Sequence, residues 1–70
     1  MIITNIESLG KKRKLHWYRI TVERNNVETQ AVYGLNPGHG LFNESGERLD
    51  ELSFEAASIQ HAIHIYELRV

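Results

Sequence analysis

Two stretches of the chain carry a residue pattern that suits extended backbone. Leu15 to Glu23 and Val27 to Tyr33 are rich in aromatic and β-branched residues, the types that fit a pleated surface. Asn25-Asn26 separates them, and asparagine accepts the left-handed conformation that a two-residue hairpin turn demands. Such a loop fixes the pairing: Val22 opposite Thr29, Ile20 opposite Ala31, Tyr18 opposite Tyr33. Side chains along a strand point alternately to the two faces, so these six share one face, the expected core. The other face receives Thr21 with Gln30, Arg19 with Val32, and Trp17 over Gly34. Glu23 then meets Glu28, a like-charge pair that weakens the ladder slightly.

Around this hairpin the pattern predicts shorter elements. Ile2, Thr4 and Ile6 alternate with Ile3, Asn5 and Glu7, which reads as a first strand over residues 2–8, closed by Leu9-Gly10. Lys11 to Lys14 then form the connection to a second strand over 15–24, and the third covers 27–34. Leu35-Asn36-Pro37-Gly38-His39-Gly40 is punctuated as a turn. Leu41-Phe42 and Arg48-Leu49 flank Asn43 to Glu47 as a short hairpin over 41–49. Ser53 suits a helix N-cap, and Glu55 in the first turn complements the helix dipole.

The last segment reads two ways. Leu52, Ala56, Ile59, Ile63, Tyr66 and Val70 form the stripe of one long amphipathic helix. Residues 63–70 are also good strand material by their branched and aromatic content. A second apolar line, Phe54, His61, Ile65 and Leu68, would lie opposite the first in a continuous helix. So small a fold has little with which to bury a helix on both sides. The reading favoured here is a helix over 53–62 followed by a final strand over 63–69. The expected fold is α+β: one domain spanning residues 1–70, with a small, mostly antiparallel sheet and one helix on one face.

Composition narrows the options. Seventy residues form a single small domain with a thin stability margin. Without cysteine it has no disulfide or thiolate metal site, which suits a reducing, cytoplasmic setting. The longest apolar run is too short to span a membrane, and the N-terminus lacks the features of a secretion signal. Net charge is −1, but unevenly spread: residues 1–35 hold six Lys/Arg and three Asp/Glu, residues 36–70 two and six. Such asymmetry marks either two faces with different partners or two halves that attract each other.

No motif for catalysis emerges. The serines at 8, 45, 53 and 58 sit in no nucleophile motif, and no paired-carboxylate or metalloprotease pattern is present. Glu44, Glu47, Asp50, Glu51 and Glu55 read as a solvated acidic face. His61 and His64, three apart, would need His16 or His39 to converge from elsewhere to complete a metal site. Gly38-His39-Gly40 lacks the lysine and hydroxyl residue of a phosphate loop. The expectation is therefore a chain that is not an enzyme and carries no cofactor and no metal.

Two surfaces remain as binding candidates. Leu15, Trp17, Arg19 and Val32 lie on the face away from the expected core; aromatic residues beside arginine are the composition of protein-interface hot spots. The competing reading has Trp17 packed over Gly34 as structure. Lys11, Lys12, Arg13 and Lys14 form the densest charge, suited to phosphate contact with stacking from Trp17 or Tyr18. The ordinary reading is a solvated loop, and the pI of about 6.4 is low for a nucleic-acid domain. The sequence thus points first to a small protein-binding module, adaptor or inhibitor in type. Its partners are another protein and a second copy in a homodimer, and nucleic-acid binding through residues 11–14 is the alternative. No membrane partner is expected.

Overall fold

The computed structural model describes residues 1–36, 40–49 and 53–69. The elements follow in the order β1 (Ile2–Lys12), β2 (Leu15–Arg24), β3 (Val27–Asn36), β4 (Gly40–Phe42) and α1 (Phe54–Leu68). The strands form one antiparallel sheet in the order β1-β2-β3-β4. The helix lies across one face, so the architecture is α+β.

The central hairpin has the register that its two-residue loop dictates, from Arg24 opposite Val27 through Tyr18 opposite Tyr33 to Trp17 opposite Gly34. Asn25 and Asn26 have φ of 51° and 65°, the pair of left-handed residues that lets a tight turn follow the twist of its strands.

β1 departs from simple alternation. It continues to Lys12, so Lys11 and Lys12 are strand residues opposite His16 and Leu15. Arg13 and Lys14 alone make the turn, with φ of 57° and 67°. The pairing also slips twice, between Ile3 and Asn5 and between Ser8 and Gly10. Thr4 and Leu9 are the extra residues of two bulges, each of which flips the side-chain alternation. Ile3 and Ile6, expected on opposite faces, therefore both pack against the core.

That core is Tyr18, Ile20, Val22, Leu35 and Leu41 from the sheet with Ala56, Ile59 and Ile63 from the helix. Ile3, Ile6, Tyr33, Leu49 and Tyr66 pack around it. Thr29 and Ala31 share the face of Ile20 but stay exposed. The helix packs on β1, β2, β4 and the Tyr33–Leu35 end of β3, which leaves the far end of β3 bare.

Ser53 caps α1, its hydroxyl accepting from the Ala56 amide at 3.0 Å, with Glu55 in the first turn. The final strand expected over 63–69 is not formed: the helix runs on to Leu68. Two contacts fix its last turns against β2. The Tyr66 ring meets Tyr18 edge-on at 6.0 Å, and Glu67 accepts a hydrogen bond from the Tyr18 phenol. Tertiary packing here overrides the strand preference of 63–68. The second apolar line remains at the surface, with Phe54 89% and Leu68 73% exposed. Leu52 and Val70, counted in the first stripe, lie outside the described residues, as do Pro37 to His39 of the expected turn.

The short hairpin after β4 closes on a bridge between Phe42 and Arg48 and a bond from the Leu49 amide to the Leu41 carbonyl. Asn43 organises its loop: its side-chain oxygen accepts from the amides of Ser45 and Glu47, both at 2.9 Å.

Candidate protein-binding face

With α1 on one side of the sheet, the opposite side carries Leu15, Trp17, Arg19 and Thr21 of β2, Gly34, Val32 and Gln30 of β3, and Phe42 of β4, by the register. Leu15 and Trp17 lie over Gly34. A methyl group at Gly34 would come within 2.9 Å of Leu15 Cδ1 and 3.1 Å of the Trp17 ring. Glycine is thus what lets the indole settle across β3. The ring is held at its other end, where Nε1–H donates to the Lys12 carbonyl at 2.8 Å. A pinned aromatic of this kind loses little freedom when a partner covers it.

Trp17 is therefore packed over Gly34, as the structural reading required, and still only half-buried. It lines a shallow cleft of about 400 Å³ with Val32, Leu9, Lys12, Arg13 and Glu44. Two candidate sets that looked separate in sequence share this cleft: Trp17 and Val32 of the apolar set, Lys12 and Arg13 of the basic set. Leu15 is not among the residues that line the cleft, though it shares the space over Gly34 with the ring. Arg19 stands apart, its guanidinium paired with Glu7 at 2.9 Å. Lys11 and Lys14 are exposed at the hairpin tip, and no ion pair forms at any of residues 11–14 among the described residues.

Leu9 and Glu44 are the lining residues that the sequence reading missed. Leu9 was missed because the expected strand stopped at residue 8, whereas β1 runs on through it on the face of Glu7 and Trp17. Glu44 arrives from the loop after β4, whose path depends on the Asn43 turn.

A second cleft of about 390 Å³ lies on the helix side, lined by Leu35, Asn36, Ala57, Gln60, His61, His64 and Glu67. Glu67 is already engaged by Tyr18 at 2.6 Å, with His16 Nδ1 at 3.8 Å. Burial first, and then the bond to Glu67, raise the Tyr18 phenol far above its ordinary range, so it stays a proton donor. Among the described residues no three His, Asp or Glu side chains converge as metal ligands, and no helix is long and apolar enough to cross a membrane.

Compared with protein-family models, curated proteins and solved structures, the chain finds no match.

Proposed function

We propose that the chain is a non-enzymatic protein-binding module that engages another protein through the uncovered face of its sheet and that also self-associates. The carrying observation is the pinned, half-buried Trp17 over Gly34, beside Val32 in an open cleft. Aromatic anchors of this sort dominate protein interfaces, and a polar rim such as Lys12, Arg13 and Glu44 sets orientation more than affinity. A reducing compartment such as the cytoplasm suits a chain without cysteine. Self-association fits a domain that is small for independent stability and leaves Phe54, Leu68 and Val27 largely exposed.

Nucleic-acid binding is the second reading, favoured by one observation: the exposed cations Lys12 and Arg13 border the same cleft as the indole. Trp17 is the chain's single tryptophan, so its emission reports the cleft directly. Titration with an oligo(dT) strand at about 150 mM salt should leave that emission unchanged. Quenching that falls steeply with added salt would overturn the protein reading in favour of the nucleic-acid one.

A further inference from the structure

The sheet has two long outer edges, and they are built differently. β1 carries two bulges and ends in Lys11-Lys12, devices that discourage another strand from pairing. β3 carries no such guard. β4 pairs only with Gly34, Leu35 and Asn36, so Val27 to Tyr33 have no neighbour on that side among the described residues. This stretch, Val-Glu-Thr-Gln-Ala-Val-Tyr, contains no proline, no lysine and a single charge.

We infer that this open edge of β3 pairs antiparallel with the same edge of a second copy, about a two-fold axis at Gln30. This deepens the self-association part of the reading above and rests on it. The backbone sets the register. Arg24 and Val27 flank a two-residue turn and so form a hydrogen-bonded pair within the hairpin. Alternation then directs the amides and carbonyls of Val27, Thr29, Ala31 and Tyr33 towards β2, and those of Glu28, Gln30 and Val32 outward. Centring on Gln30 joins Gln30 to Gln30 and Glu28 to Val32 twice, three bonded pairs and about six hydrogen bonds.

The fit is bounded at both ends. Val27 of one copy falls opposite Tyr33 of the other, the last residue before β4, and the Asn25-Asn26 turn stops there. A shift towards β4 would set Glu28 against Gly34, where Phe42 already lies. A shift the other way would bring Glu28 against Glu28, a like-charge pair, or leave fewer bonded pairs. In the Gln30 register no like charges face each other. The two-fold axis keeps both helices on one side of a continuous sheet, where it brings the exposed Val27, Thr29 and Ala31 of both copies together.

The experiment is light scattering on the full chain at about 100 μM, with amide hydrogen exchange at that concentration and after dilution. Wild type should have near twice the 8.1 kDa chain mass, with the Glu28, Gln30 and Val32 amides protected and that protection lost on dilution. Gln30→Pro removes an outward amide and spares the β2 ladder, and Ala31→Lys places charge at the joint; both should be folded monomers by circular dichroism. A monomeric wild type would overturn self-association itself. A wild-type dimer that survives in Ala31→Lys, exchanges freely at Gln30, or is broken instead by Leu68→Asp would leave self-association standing and overturn this edge.

Discussion

The Tyr18 phenol donates a 2.6 Å hydrogen bond to the carboxylate of Glu67, 49 residues further along the chain. This bond ties the last turn of α1 to the central strand, while Arg24 and Glu55 pair at the first turn. The helix is thereby held at both ends, running antiparallel to β2, and the sheet's other face is left open.

Tyr18→Phe should cost about 1–2 kcal/mol, the worth of a bond to a charged acceptor with some solvent access, and should fray the last helical turn. Chemical denaturation checks the cost and amide exchange at residues 64–68 checks the fraying. An unchanged midpoint would mean that Glu67 finds water as good a partner.

The same tyrosine sets an alkaline limit. Its folded-state titration lies above the ordinary value near 10, as does that of Tyr33, which burial raises first and Glu55 second. The protonated forms are therefore the stabilised ones. Their contribution is full below about pH 10 and is lost as pH climbs through the raised values. Melting temperature should fall above pH 10, and Tyr18→Phe should fall less steeply than wild type.

Gly34→Val should lift Trp17 from the sheet, because even a methyl group there crowds Leu15 and the indole. The expected cost is about 1–3 kcal/mol, with a red-shifted Trp17 emission. Emission and stability both like wild type would show that the indole does not rest on β3.

The Arg13-Lys14 turn holds two side-chain-bearing residues in the left-handed region. Replacement by Asn-Gly should relieve that strain and raise stability by about 1 kcal/mol, or about 4–8 °C in melting temperature for a domain of this size. A lowered melting temperature would mean that the two side chains hold the fold.

The central hairpin was legible because a two-residue asparagine turn leaves the pairing of 15–24 with 27–34 no freedom. Ser53 was legible because a cap is a local hydrogen bond. What escaped was decided by contacts distant in sequence. The bulge at Thr4 has no residue signature, so Ile3 turned the wrong way. Gly10, with φ of 92°, marks the bulge at Leu9, but the glycine reads as the end of β1. The helix at 63–68 depends on Tyr18 meeting Tyr66 and Glu67, which no local pattern announces. Exposure of Phe54 and Leu68 also breaks the assumption that an apolar line on a helix must be covered within the chain. The candidate face was half legible: the register placed Leu15, Trp17, Arg19 and Val32 together. The continuation of β1 that carries Leu9 to the cleft, and the bond from Trp17 to the Lys12 carbonyl, were not.

Val32→Lys tests the binding face most directly. The side chain lies on the uncovered side of the sheet, so the melting temperature should stay within a few degrees of wild type. Immobilised wild-type and variant chains are compared for capture from nuclease-treated lysate of the native host. The account predicts a protein retained by wild type and lost by the folded variant, because a charge now occupies the apolar wall beside Trp17. Equal capture by both chains would contradict it.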